Sequence, residues 1–461
     1  MPPGPTAGSS SCIMNSFMAK IGFVSLGCAK NLVDTEVMLG LLAEGGHEIT
    51  ASQEEADIIV VNTCGFIEQA KQESVDTILE MARQKVEGRC RRLIVAGCLV
   101  ERYREQILKE IPEVDAVLGT NEVPSILKVC AGEISAPPTY EERELFLYTD
   151  RHPRLRTTPR HSAYVKIAEG CNHPCTFCVI PQMRGRFRSR SQDSILAEVS
   201  RLTAEGVREI NLVAQDSTMY GWDWGNRKGL ADLIRALNEI DGLEWIRFLY
   251  AYPNSIYNEL LDAIAETPKA CKYIDIPLQS GSRNVLKRMK RGGYRESLLR
   301  LIERIRSRIP EVAIRTTMIV GFPGETEEDF QETLSFVSEA QFDRLGVFTY
   351  SDEEDSASYL LDGKIDERTK QERQRLLMEA QLPISRQKTR SLVGKCFPVL
   401  IEGPSRETDL LWEGRLPTQA PDIDGVVYLN DGVTEETRSG EIRAVRITEA
   451  HDYDLVGAVV S

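Results

Sequence analysis

Between residues 20 and 130, short runs of β-branched and other apolar residues alternate with longer stretches at helical spacing. Strands are predicted at Lys20–Ser25 (KIGFVS), 57–62 (DIIVVN), 92–96 (RLIVA) and 115–118 (DAVL). Helices are predicted at about 31–44, 66–86, 100–110 and 124–129. Continuously apolar strands between helices are the mark of a parallel sheet covered on both faces. A second alternation starts near 163. Strands are predicted at 163–168 (AYVKIA), 210–214 (INLVA), 247–250 (RFLY), 273–276 (YIDI), Ala313–Val320 (AIRTTMIV) and 344–348 (RLGVF), the order of a partial (β/α) barrel. Residues 367–390 are charged at helical spacing and predict a connecting helix, with Pro383 as a candidate break. Short strands follow at 396–401, 409–413, 425–429, 441–450 and 455–460, which predicts a five-stranded, OB-like β-barrel. The expected fold class is therefore multidomain α/β. It comprises a leader (1–19), an α/β sheet domain (20–130), a linker with APP and EERE (131–160), a barrel with its connecting helix (161–390) and a β-barrel (391–461).

Composition narrows the class. A chain of 461 residues exceeds one ordinary core and suits about three domains of roughly 150 residues. With 42% hydrophobic and 27% charged residues it reads as folded rather than disordered. No apolar run approaches the roughly 20 residues of a membrane span. The first seventeen residues lack the basic and apolar regions of a secretory signal and read as a disordered leader, with Met14 and Met18 as alternative starts. A cytoplasmic location is expected, so the 11 cysteines are expected as thiols rather than disulfides.

Six of those cysteines stand out by position. Cys28 (SLGCAKN), Cys64 (VNTCGF) and Cys98 (VAGCLV) each follow the end of a predicted strand. Parallel strands bring such ends to one edge, where open α/β sheets bind ligands. Gly27, Gly65 and Gly97 flank them and permit close backbone approach. Three convergent thiolates suit an iron–sulfur cluster or zinc with an open position. Cys171, Cys175 and Cys178 form C-x3-C-x2-C just after the first barrel strand. Three thiolates in eight residues can hold three corners of a cubane and leave one iron free. Zinc would bring a second ligand pair, and His173 has no partner histidine nearby. Cys12, Cys90, Cys130, Cys271 and Cys396 share no such register and read as ordinary cysteines.

The C-x3-C-x2-C loop, with Phe177 before its last cysteine, resembles the radical S-adenosylmethionine (SAM) superfamily. Polar clusters follow the later strands: Gln215-Asp216-Ser217, Tyr252-Pro253, Gln279-Ser280-Gly281-Ser282 and 321–325 (GFPGE). A barrel places its chemistry there. The resemblance implies that the open iron chelates the methionine part of SAM and that Phe177 packs near the adenine. It makes Phe177, Gln215, Asp216, Gln279 and Ser280 candidate cofactor contacts. The three-part order is similar to the methylthiotransferase family over roughly 20–461, with the last part resembling a TRAM domain. That implies two 4Fe-4S clusters, a radical one on Cys171, Cys175 and Cys178 and an auxiliary one on Cys28, Cys64 and Cys98. It also implies a 5′-deoxyadenosyl radical, a sulfur species at the auxiliary cluster, a sulfur donor, and a low-potential electron donor such as flavodoxin or ferredoxin. No side chain is assigned as a catalytic acid or base.

SLGCAKNLVDTE and IPQMRGRFRSR look like the family branch that methylthiolates an aspartate β-carbon on small-subunit ribosomal protein twelve, free or in the ribosome. The net charge is −14, from 56 Lys/Arg against 70 Asp/Glu. Over 391–461, six Lys/Arg face thirteen Asp/Glu, a local −7. Such a tail would repel phosphate and attract a basic protein, so nucleic acid is not expected as the primary substrate. Over 151–190, nine Lys/Arg face one acid, a local +8. That stretch is open to four readings: nucleic-acid contact, which favours the tRNA adenosine methylthiotransferase branch; neutralisation of cluster and cofactor charge; capture of the substrate carboxylate by Arg184, Arg186, Arg188 or Arg190; or a simple solvated face. A non-enzymatic iron–sulfur electron carrier is a third function class.

Overall fold

A computed structural model describes residues 18–137, 145–408 and 410–460. The leader at 1–17 and part of the expected linker lie outside the described residues. The first sheet contains β1 (Lys20–Ser25), β2 (Glu48–Thr50), β3 (Ile58–Thr63), β4 (Arg92–Gly97) and β5 (Ala116–Leu118), all parallel, in the order β2-β1-β3-β4-β5. Helices α1 (Ala29–Glu44), α2 (Glu68–Glu87), α3 (Cys98–Glu110) and α4 (Ile126–Ala131) connect and cover the strands. Ile59, Val60 and Val61 of β3 are completely buried. Each such side chain contributes about 1.5–3 kcal/mol over exposure, which is why this run reads as uninterrupted apolar sequence. The edge strand β2 went unpredicted, because three partly exposed residues carry no period. The strand order reverses between β1 and β3. That reversal is the topological switch point, where a crevice opens beyond the carboxyl ends.

The second unit opens with β6 (Ser162–Lys166) and a small antiparallel pair, β7 (Ala168–Glu169) with β8 (Arg188–Ser189). It continues through β9 (Glu209–Val213), β10 (Trp245–Phe248), β11 (Tyr273–Asp275), β12 (Ala313–Val320) and β13 (Arg344–Thr349). Strands β6, β9 and β10 form one parallel sheet and β11, β12 and β13 another. A parallel bridge between Ile246 and Ala270 links them into an open barrel. The inner face of that barrel is closed by its neighbours. Tyr164, Val213, Trp245, Tyr273 and Ala313 pack in one cluster with Val33, Val37 and Met38 of α1 and with Leu400 and Ala420 of the last unit.

The connecting helix (Glu367–Arg390) runs without a break through Pro383, correcting the expected interruption. Pro383 removes one intrahelical bond. Buried Leu377 and Ile384, and the Gln381 side chain donating to the Phe342 carbonyl at 2.9 Å, hold the helix on either side. Beyond it, Cys396–Pro404, Trp412–Arg415, Val427–Asp431, Leu455–Val459 and Ile442–Ala450 follow one another around a closed five-stranded barrel.

Part of each charge block of the sequence turns inward. In the basic stretch, Arg154 pairs with Glu36 and with Glu198 at 2.8 Å, and Arg190 pairs with Glu198 at 2.7 Å. Residues 145–160, expected as linker, are thereby packed against α1 and the helix at Gln192–Ala204. In the acidic tail, Arg415 is buried against Glu209 at 2.6 Å and Glu402 at 2.7 Å, while Glu413 and the Asp424 side chain are also buried. Glu407, Asp422, Asp431, Glu435, Glu436 and Glu449 are exposed, as are Lys395, Arg406, Arg438, Arg443 and Arg446. Glu441, Asp452 and Asp454 are half-buried as well, so an excess of acids over bases remains at the surface of this unit. Among the described residues, no helix is long and apolar enough to cross a membrane.

Candidate active site

The carboxyl ends of the first sheet and of the open barrel face each other across a cavity of about 510 Å³. That is within the usual range for small-molecule sites. Cys28, Cys64, Cys98, Cys171, Cys175 and Cys178 all line it.

The first three are brought together by backbone. Cys28 caps the N-terminus of α1, Cys98 opens α3, and Cys64 lies between β3 and α2. Gly97 has φ +96°, and a Cβ there would lie 2.5 Å from the Thr63 carbonyl oxygen. A Cβ on Gly27 would lie 2.8 Å from the Cβ of Cys64, so these loops touch with no room for a side chain. Asn31 donates to the Leu26 carbonyl at 2.7 Å, and Asn62 donates to the Asn31 carbonyl at 3.0 Å. Ser74 Oγ accepts from the Cys64 amide and donates to its carbonyl. Asn31, Asn62 and Ser74 were not identified from sequence. The one available signal was Asn62, a polar residue inside the run DIIVVN.

The second triad is held in a single loop. Gly170, φ +84°, precedes Cys171, and a Cβ there would lie 2.2 Å from the Arg186 carbonyl oxygen. Thr176 donates its amide to the Met289 carbonyl at 3.0 Å and its hydroxyl to the Arg288 carbonyl at 2.9 Å, which anchors the loop. His173 stacks on Tyr252 at 3.6 Å and bonds Asp216 at 2.6 Å. That bond takes Nε2, and the ring lines the cavity.

The other candidates divide. Phe177 lines the cavity and packs with Val285, Met289, Phe322 and Tyr350. Gln215 lines it and donates to Glu169 at 2.6 Å. Gln279 lines it too, with a left-handed φ of +74°. The side-chain carbonyl oxygens of Gln215 and Gln279 are buried without a partner. Asp216 and Ser280 do not line the cavity; Asp216 holds His173, and Ser280 bonds Thr333 and the Ser282 amide. Of the four arginines considered for a substrate carboxylate, only Arg184 reaches the cavity. It already pairs with Asp34 at 2.6 Å and Glu169 at 3.3 Å, and it donates to Cys98 Sγ at 3.3 Å. Arg190 is spent on Glu198, Arg188 bonds the Arg184 and Arg186 carbonyls, and Arg186 is exposed.

Electrostatics differ around the thiols. Burial opposes ionisation of Cys28, but Lys30, Arg184 and nearby backbone amides outweigh it and lower its pKa. Burial, helped by Cys98, pushes Cys64 up to about 12. Burial likewise pushes Cys171 to about 11 and Cys178 to about 12. Burial would raise Glu169, but Lys166 and Arg184 hold it down at about 2. Among the described residues, no three His, Cys, Asp or Glu side chains close on a single point as ligands of a lone ion would. A cluster spreads its irons over separate corners, so its thiolates surround a volume rather than a point. The soft donor sets, the glycine cradles and the two orphaned carbonyl acceptors fit iron–sulfur clusters and a polar organic cofactor between them.

Three family models match. One described as an uncharacterized protein family, UPF0004, covers residues 20–119; the radical SAM superfamily covers 165–337; the TRAM domain covers 393–460. The ribosomal protein uS12 methylthiotransferase RimO of Solibacter usitatus is 60% identical over 96% of this chain and 95% of its own. That of Koribacter versatilis is 51% identical over 96% of each. The chain belongs to the RimO family of radical SAM methylthiotransferases. Among solved structures, the radical SAM methyltransferase TsrM of Kitasatospora setae matches with a TM-score of 0.52 at 14% identity, covering 72% of this chain and 75% of that one. The radical SAM enzyme OxsB matches with a TM-score of 0.51 at 15% identity, covering 79% of this chain and 56% of that one. Both likenesses speak to fold.

Proposed function

We propose that this protein is a SAM-dependent methylthiotransferase acting on an aspartate β-carbon of ribosomal protein uS12. The observation that carries the reading is that both cysteine triads line one cavity, in a chain 60% identical to a RimO over almost its whole length. Cys171, Cys175 and Cys178 would hold a 4Fe-4S cluster that binds SAM, and Cys28, Cys64 and Cys98 an auxiliary one. When bound, these groups supply reductive cleavage of SAM to a 5′-deoxyadenosyl radical and the sulfur that is methylated and transferred.

The chain's own contribution is placement. Phe177 offers an apolar face for the adenine, and the carbonyls of Gln215 and Gln279 offer acceptors for the cofactor's N–H or O–H groups. Arg291, donating to Cys175 Sγ at 3.5 Å and lying over Tyr252, supplies positive charge at the radical triad. Facing the two triads across a small cavity keeps a substrate radical within reach of the sulfur, which is catalysis by proximity. A low-potential flavodoxin or ferredoxin and a sulfur donor complete the expected partners, and the cytoplasm is the expected location. The tRNA reading loses part of its physical support, because Arg154, Lys166, Arg184 and Arg190 are buried among carboxylates while Arg151, Arg160 and Arg186 stay exposed. The acid excess left at the surface of the last unit supports docking of a basic protein.

Intact-mass spectrometry of uS12 from cells with and without this gene tests the reading. One added SCH2 unit on the aspartate, present only with the gene, is expected. Its absence, with loss of methylthioadenosine from tRNA instead, would transfer the chain to the other branch.

A further inference from the structure

Four cations line the cavity: Lys30, Arg184, Arg291 and Arg315. Two of them already have carboxylates. Arg184 pairs with Asp34 and Glu169, and Arg315 pairs with Asp275 at 2.7 Å. Arg291 belongs to the radical triad through Cys175 and also donates to the Pro277 carbonyl. Lys30 stands apart. It is 7% exposed, and among the described residues no carboxylate lies within ion-pair distance of it. Its Nζ sits 3.2 Å from the centroid of the Tyr250 ring. Tyr250 is itself held at φ +66°, with its amide donating to Asp275 at 3.0 Å. A non-glycine residue kept in that conformation marks a position the surroundings over-determine. A buried ammonium facing an aromatic ring is attracted to it but keeps its full charge. The Lys30 charge already faces the Cys28 sulfur and Tyr250 but no carboxylate, and an anionic ligand in the cavity would be drawn to it.

We propose that Lys30 recognises the substrate aspartate, pairing its ammonium with the side-chain carboxylate inside the cavity. This rests on the uS12 reading above and goes beyond it by naming the specificity residue. Lys30 lies two residues from Cys28, so a carboxylate held there stands on the side of the N-terminal triad. The carbon attached to that carboxylate is the one to be modified. The pairing also accounts for a choice of aspartate over its amide. Asparagine would bring no negative charge to the ammonium, and a site built around a charge rejects a neutral isostere.

The test uses the full chain loaded with its clusters and two synthetic peptides spanning the modified uS12 position, one with aspartate and one with asparagine. Binding is read by fluorescence anisotropy, and iron per chain is measured on the same samples. The wild-type protein should bind the aspartate peptide at least tenfold more tightly. Lys30→Met should erase that preference by weakening the aspartate peptide alone, and Lys30→Arg should restore part of it, with iron unchanged in both. Equal wild-type affinities for the two peptides would overturn the proposal. So would a preference that survives Lys30→Met, or a loss of iron in that variant, which would make Lys30 a support for the N-terminal triad. Methylthiolation of the aspartate peptide by the wild-type protein is scored separately, because its failure would refute the uS12 reading rather than the role of Lys30.

Discussion

The two cysteine triads face the same space, yet they are built in opposite ways. Cys171, Cys175 and Cys178 occupy eight residues of one loop, so their proximity is local, and the loop is anchored at Thr176 and His173. Cys28, Cys64 and Cys98 come from three strand ends spread over 71 residues, and only the parallel sheet brings them together. A local site tolerates strain elsewhere, whereas an assembled site inherits every weakness of its scaffold. Polar stitching shows the difference. Asn31, Asn62 and Ser74 bind the N-terminal loops to one another, while the barrel loop is tied mainly through its own backbone and Thr176.

Removing each triad should separate the two roles most sharply. Replacing Cys171, Cys175 and Cys178 together with alanine should abolish 5′-deoxyadenosine formation and remove about half the iron. Replacing Cys28, Cys64 and Cys98 should remove the other half and spare SAM cleavage. Iron assay and chromatography of the SAM products check both; SAM cleavage lost equally in the two would end the division of labour.

Next in size is the arginine that joins the halves. Arg184→Leu leaves Asp34 and Glu169 facing Lys166 alone, and breaking a buried pair in this way costs about 3–5 kcal/mol. Denaturant unfolding should show that loss. Arg415→Met at the opposite face of the barrel strips Glu209 of one of its two arginines, and a comparable or smaller loss is expected.

Gly97→Ala should hurt the assembled triad selectively. The left-handed φ and the contact with Thr63 together call for a cost of at least about 1–2 kcal/mol. Iron lost from the N-terminal triad, with SAM cleavage retained, is the expected outcome.

The smallest effect is with pH. Glu353 clasps Arg102 of α3 at 2.7 Å and Lys71 of α2 at 3.0 Å, which ties the sheet unit to the barrel. Burial would raise its pKa, but hydrogen bonds from Ser351, Arg102 and Lys71 lower it. A depressed carboxylate stabilises the fold above its unfolded value of about 4.3, and that contribution fades as pH falls through the lower folded value. Glu353→Gln should therefore flatten the loss of stability below pH about 4.3, read from urea midpoints.

The sequence made the local triad, the strand alternation and the three-part order legible, because each is written in spacing and period. The convergence of the other triad was legible through topology, since all three cysteines follow parallel strands. Charge was the misleading signal. Nine bases in one stretch look like a surface, yet Arg154, Lys166, Arg184 and Arg190 are consumed in buried pairs. Counting charges along a chain cannot show which ones meet across it. Lys30 was hidden for the complementary reason. Nothing in CAKN marks it until the structure shows that its charge has no carboxylate beside it.

The division of labour between the triads is tested most directly by the mass of uS12 from cells whose only copy of this gene lacks Cys28, Cys64 and Cys98. Unmodified uS12 is expected from those cells, with the same purified variant still forming 5′-deoxyadenosine from SAM. A full SCH2 gain on the aspartate without those three thiols would contradict it.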